Sequence, residues 1–251
     1  MRSVTQLVHS RTFVAARSAL MPLEGFPNSR LPTFPRAQVR VLASPAIGAK
    51  FVQYLIDMPE GSAGEFPADT QVESFYFVMS GEGTFHDGAS AKHALVAGNF
   101  GLTPPDHASK FVASTAMQLL VVRKKYEHAP GIEIYAGVYG HERDVAKSVW
   151  ADNPNSLLQT LIPDTFAFDL AMNIFTFNPG FGLPIVETHV MEHGAYILEG
   201  KGLYYLEDKW AEVEKNDFIY MGPYCPQSFY ATGPTPVKYI YYKNVNRDIP
   251  L

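Results

Sequence analysis

Residues 182–200 read GLPIVETHVMEHGAYILEG, and the spacing of their polar side chains decides how the rest of the chain is read. Alternate side chains of a strand point to opposite faces, so residues of equal parity share one. Glu187, His189 and His193 are all odd-numbered. On an unbulged strand they project to one side, with Thr188, Val190 and Glu192 on the other. One carboxylate and two imidazoles on an inward face suit a divalent metal. A fourth donor comes from the separate segment 217–229, DFIYMGPYCPQSF, where a Pro-rich turn precedes Gln227. Its amide oxygen can coordinate a hard or borderline cation. The competing reading makes these polar side chains ordinary core residues. It leaves buried donors and acceptors without partners, at about 1–3 kcal/mol each.

The surrounding sequence is β-rich. Residues 51–57 (FVQYLID), 74–79 (SFYFVM), 118–123 (QLLVVR), 195–198 (AYIL), 203–206 (LYYL) and 237–242 (VKYIYY) are dense in β-branched and aromatic residues. Turn chemistry separates them, as in Ser80-Gly81-Glu82-Gly83, Thr103-Pro104-Pro105-Asp106 and Glu199-Gly200-Lys201-Gly202. Residues 142–161 are compatible with a helix interrupted at Pro154, which predicts a partly helical connector.

The two halves repeat one another. Met79-Ser80-Gly81-Glu82-Gly83 answers Leu198-Glu199-Gly200-Lys201-Gly202, Gly98-Asn99-Phe100 answers Asn216-Asp217-Phe218, Phe111 answers Phe229, and Lys125 answers Lys243. An offset of about 118–119 residues throughout implies duplication of a whole module rather than a short solenoid repeat. The expected organisation is an N-terminal arm (1–39), a first barrel (40–126), a connector (127–164) and a second barrel (165–251). Positions equivalent to the four donors in the first module are Ala68, Thr70, Ser74 and Ser109, none a strong ligand. Only the second module is expected to bind metal.

Composition narrows the function classes. Charged residues make up 18% of the chain, with 19 glycines and 19 prolines, which suits strands and turns better than a helical bundle. A net charge of −5 without a basic stripe argues against nucleic acid. No run approaches the 18 apolar residues needed to span a membrane. Cys225 is the only cysteine, so no intrachain disulfide forms, consistent with a reducing, cytoplasmic setting. Arg2, Arg11 and Arg17, with no acidic residue before Glu24, leave a transit segment as the alternative to a folded arm.

The motifs resemble those of the cupin superfamily. Its usual first motif is H-x-H-x3-E-x6-G, and the chain has Glu187-x-His189-x3-His193-x6-Gly200. The second, G-D-x4-P-P-x3-H, is met by Asn216-Asp217-x4-Gly222-Pro223-x3-Gln227. Glu and His have exchanged places and Gln replaces the last His. That oxygen-richer set favours Mn²⁺ over copper. The resemblance implies an all-β bicupin of two tandem jelly-roll barrels.

A narrower resemblance, to the (S)-ureidoglycine aminohydrolase family, lies in ETHVMEHGAYILEGKG, PQSF and Tyr239-x-Tyr241-x-Lys243-x2-Asn246-Arg247-Asp248. It implies Mn²⁺-dependent release of ammonia from (S)-ureidoglycine, giving (S)-ureidoglycolate in purine catabolism, by a homo-oligomer. It also implies substrate contacts from Tyr204, Tyr239 and Lys243, and a catalytic part for Glu187 as ligand, base or both, together with Lys243. Elimination of ammonia followed by water addition and direct displacement both fit these residues. The alternatives are another metal-dependent cupin enzyme, such as a dioxygenase or isomerase, or a non-catalytic bicupin that binds a carboxylate.

Overall fold

A computed structural model describes residues 11–88 and 92–247 of the chain. Among them the structure is almost wholly β, with three single 3-10 turns at Leu23–Gly25, Pro45–Ile47 and Glu142–Asp144. The expected all-β, two-module architecture is present. No helix among the described residues is long and apolar enough to cross a membrane. Residues 1–10, which carry part of the candidate transit segment, lie outside the described residues.

One compact unit comprises residues 27–146 and 159–173, with the described residues from 244 onward. Its larger sheet runs in the order Val138–His141, Asn99–Thr103, Val72–Ser80, Met117–Lys125, Phe51–Met58, Gln38–Ala43. Its smaller sheet runs Ala63–Phe66, Ser109–Ala113, Glu82–His86, Lys92–Val96. Aromatic side chains fill the space between. Tyr76 and Phe85 lie 4.6 Å apart between centroids, Phe111 meets Tyr76 edge-on at 5.2 Å, and Phe34 closes the cluster. Gly64 makes room for Phe34, since a Cβ there would lie 1.9 Å from its ring. Two of the four positions equivalent to metal donors form hydrogen bonds within this unit: Arg123 Nε donates to Ser74 Oγ at 3.0 Å, and Ser109 Oγ donates to Thr103 Oγ1 at 3.0 Å.

This unit also buries a charged cluster. Glu73, Lys124 and Asp169 are all at most 5% exposed, with Lys124 Nζ paired to Asp169 and 3.6 Å from Glu73. Tyr135 donates its hydroxyl to Glu73 at 2.6 Å. Burial, and then the neighbouring Asp169, push the Glu73 carboxyl well above the usual carboxylate range. Removing the hydroxyl leaves a buried acceptor unsatisfied. Tyr135→Phe is expected to lower stability by about 1–3 kcal/mol, read as a shift in the urea midpoint.

The other unit comprises the described residues up to 26, with 147–158 and 174–243. To it belong most residues of a larger sheet ordered Phe13–Val14, Ser18–Met21, Phe218–Met221, His193–Glu199, Val237–Asn244, Leu170–Phe177, Asn153–Thr160, Ser148–Trp150. Lys209–Glu214, Lys201–Leu206 and Gln227–Ala231 form the smaller one. The duplication is visible in matching hairpins. Gly81 (φ +82°) and Gly200 (φ +77°) take the same left-handed turn, and a Cβ on either would strike backbone, Ala116 O at 2.2 Å and Pro236 O at 2.6 Å.

Two sequence expectations need correcting. Of the helix-compatible residues 142–161, only Glu142–Asp144 turns helically; the rest forms the hairpin of Ser148–Trp150 with Asn153–Thr160. Val149 and Trp150 favour a strand, Pro154 would break a helix interior, and Ala151 and Asp152 both turn left-handed (φ 51° and 55°). The compact units also cross the expected boundaries. Residues 13–21 add strands beside Phe218–Met221, whereas residues from 27 onward belong to the first unit. An arm defined by sequence position alone therefore divides in two.

Candidate active site

The second barrel holds a cavity of about 470 Å³, lined by Glu187, His189, His193, Tyr204, Gln227, Tyr239 and Lys243 among others. All seven side chains expected from the sequence to bind metal or substrate or to act in catalysis line it. Four strands and the segment before His193 bring them together. His193 opens the strand His193–Glu199, where it pairs with Lys243 across the sheet. Tyr239 lies two turns of the same β-repeat before Lys243, and Tyr204 and Gln227 come from the smaller sheet.

Residues 182–192 are not the regular strand that parity assumed. The segment makes only isolated bridges, Gly182 with Tyr230 and Glu187 with Gln227. Pro184 removes one ladder donor, and Gly182 passes so close to Phe229 O that a Cβ would sit 1.9 Å from it. Thr188, expected to point away, lines the cavity instead. Glu192 does face away, toward the Tyr242 hydroxyl at 3.5 Å, yet it is buried. The bridge fixes Glu187 against Gln227 through two backbone bonds, Glu187 N–H to Gln227 O (2.8 Å) and Gln227 N–H to Glu187 O (2.9 Å).

The donor atoms are tightly grouped. His193 Nε2 lies 3.2 Å from His189 Nε2, and the Gln227 side-chain amide lies 3.1 Å from the same His189 nitrogen. A half-turn of that amide exchanges its nitrogen for Oε1 at the same place. His193 and Gln227 are 5% and 4% exposed, so these polar atoms converge where water cannot freely serve them. Burial, then the neighbouring His189 and Lys243, hold His193 well below the ordinary imidazole pKa; burial and Lys243 lower His189 too. Neutral imidazoles facing one another with an amide are what a borderline divalent cation requires, so the residues fit a metal. Glu187 lines the cavity beside them. Among the described residues, however, no three His, Cys, Asp or Glu side chains are grouped at ligand spacing.

The remaining polar groups surround the Lys243 ammonium. Among the described residues Lys243 takes part in no ion pair. Burial raises the Glu187 carboxyl and Lys243 partly lowers it again. Tyr204 and Tyr239 are 3% and 2% exposed, hydrogen-bonded to one another, and kept neutral chiefly by burial.

Because His193 stays neutral in the folded protein, its pKa is depressed relative to about 6.5 in the unfolded chain. Its contribution to stability is present above that value and is lost as pH falls toward the folded pKa. Metal-free protein is therefore expected to show a falling urea midpoint as pH drops below about 6.5, and His193→Asn to flatten the fall.

Comparison with known proteins places this geometry. A cupin-domain family model matches residues 173–242, the barrel that carries the cavity. The (S)-ureidoglycine aminohydrolase of Escherichia coli (strain K12) is 33% identical over 238 residues, covering 93% of this chain and 90% of that protein. The chain belongs to the (S)-ureidoglycine aminohydrolase family. The Arabidopsis thaliana (S)-ureidoglycine aminohydrolase is 32% identical over 235 residues, 92% of this chain and 76% of that one. The crystal structure of protein Ylba from E. coli superposes with a TM-score of 0.87 at 30% identity, covering 100% of both chains. Bacillus subtilis oxalate decarboxylase, described with Mn(II) centres, has a TM-score of 0.71 at 10% identity, over 99% of this chain and 85% of that one. That likeness bears on fold alone.

Within this aminohydrolase-family barrel, some cavity residues escaped the sequence reading. Tyr241 lines the cavity and stacks on Phe175 at 5.6 Å, 10° from parallel. Its parity with Tyr239 and Lys243 would have found it. Trp150 lines the cavity from the connector hairpin. No local signal marks it, because its place depends on a strand that was read as helix. Asn246 closes the strand end, donating to Thr165 O (3.0 Å) and Phe168 O (3.1 Å), and Arg247 donates to Glu127 O (2.6 Å). Asp248 lies outside the described residues.

Proposed function

We propose that the chain is a metal-dependent (S)-ureidoglycine aminohydrolase that converts (S)-ureidoglycine and water to (S)-ureidoglycolate and ammonia in purine catabolism. Glu187, His189, His193 and Gln227 hold the ion, and the oxygen-rich donor set favours Mn²⁺. The observation that carries the reading is the meeting of two neutral imidazoles and an amide in one cavity with an unpaired ammonium.

The residues divide the work by charge. Bound there, the ion supplies Lewis-acid polarisation of the substrate's ligating groups. Lys243 neutralises the substrate carboxylate as a point charge and fixes which way the stereocentre faces. Tyr204 and Tyr239 share one hydrogen bond, and the hydroxyl proton not used between them can be donated to a ureido or carboxylate oxygen. Glu187, its basicity raised by burial, carries protons between water and the departing amine. Phe175, Tyr241 and Leu183 supply apolar walls that restrict bulk water.

The test generates (S)-ureidoglycine enzymatically from allantoate and follows ammonia release by the purified protein. Release should stop with chelator and return with Mn²⁺. Oxygen uptake, or equal release in chelator, would count against the assignment.

A further inference from the structure

The loop of residues 222–226 leads from the strand Phe218–Met221 to Gln227, and it is held from outside the cavity. Its first end inherits a β-pairing in which Ser18 faces Met221 and Met21 faces Phe218. Past the strand end, Gly222 N–H donates to Arg17 O at 2.7 Å, and Arg17 Nη1 donates to Tyr224 O at 3.0 Å. At its other end Pro226 O accepts from Glu207 N–H at 2.9 Å. Glu207 Oε1 in turn accepts from Arg17 N–H (3.1 Å) and Ser18 Oγ (2.7 Å).

Tyr224 is the pivot of this arrangement. Its φ is +58°, a left-handed conformation that costs a non-glycine residue roughly 1–2 kcal/mol. Its ring is 53% exposed, so ring packing does not hold the backbone there. Backbone hydrogen bonds do. Tyr224 N–H donates to His189 O at 2.7 Å, while Tyr224 O accepts both Arg17 and the Thr188 hydroxyl, the latter at 3.3 Å. The same residue therefore joins the N-terminal segment to the loop that carries His189, and it lies three residues before Gln227.

We infer that residues 17–21 brace the metal-site loops and that Arg17 is a positioning residue for His189 and Gln227. Arg17 touches neither metal nor substrate; it acts by holding Tyr224 in its left-handed turn. The inference rests on the metal reading of the site. Outer partners that orient ligands are worth about 10–100-fold in metal affinity. A single exposed, charge-assisted bond belongs at the lower end of that range.

The experiment titrates Mn²⁺ into metal-free wild type, Arg17→Ala, Arg17→Lys and Tyr224→Gly, with and without Arg17→Ala, each checked as folded by circular dichroism. Arg17→Ala should weaken Mn²⁺ binding about ten-fold, and Arg17→Lys should recover part of it. In the Tyr224→Gly background the loss should shrink, because glycine takes a left-handed φ without cost. A fall in thermal midpoint with unchanged Mn²⁺ affinity would make Arg17 merely structural and overturn the inference. So would an undiminished loss in the Tyr224→Gly background. Should Arg17→Ala fail to fold, Arg17→Lys and Ser18→Ala decide by the same titration: unchanged affinity in both refutes the brace. A wild type that binds no Mn²⁺ defeats the metal reading itself, and the brace with it.

Discussion

Glu187→Gln is expected to keep its divalent metal and to lose turnover by about 10²–10⁴-fold, the usual worth of a positioned proton-transfer group. Gln preserves shape and an amide oxygen, and the backbone bridge to Gln227 does not involve the side chain. What disappears is the capacity to take and return a proton. Burial raises the Glu187 carboxyl above its ordinary range, while Lys243 keeps the rise in check. The acidic limb that Glu187 contributes to the wild-type pH profile should vanish in the variant. KM should change little. Undiminished ammonia release from a metal-loaded Glu187→Gln protein would remove this side chain from the chemistry.

Lys243→Met should act on binding first. An ammonium that makes no ion pair among the described residues, and that faces the cavity within electrostatic reach of the Glu187 carboxyl, is placed to pair with an arriving carboxylate. Losing one side of such a pair costs about 2–5 kcal/mol, or roughly 30- to several-thousand-fold in kcat/KM, mostly as a rise in KM. Lys243→Arg should recover it only partly, since a planar fork does not replace a compact point charge. A second signature follows from the sign of the interaction. Lys243 lowers the pKa of Glu187, His189 and His193, so its removal raises all three. In metal-free protein, an NMR titration of His189 and His193 should move to higher pH in Lys243→Met. An unchanged KM would show that Lys243 does not meet substrate.

Much of the site was legible in the chain because its donors fall at short, regular spacings. His193 and Lys243 occupy facing strands, and simple alternation suffices to aim them inward. Glu187 and His189 reach the cavity by a looser route than parity assumes. That segment is a bridged loop, which is why Thr188 also faces the cavity. The duplicated framework was readable from glycines that tolerate a left-handed turn, Gly81 and Gly200. Trp150 was not readable, because only tertiary context turns residues 148–160 into a hairpin. Nor was the destination of residues 13–21. An edge strand chooses its sheet by pairing with a distant partner, here Phe218–Met221, and no local pattern encodes that choice.

Manganese-soaked crystals measured for anomalous scattering test the metal centre most directly. One strong peak is expected in the second barrel, about 2.0–2.3 Å from Nε2 of His189 and His193 and from oxygens of Glu187 and Gln227. A peak bound elsewhere, or none at a concentration that supports ammonia release, would contradict the assignment of those four side chains.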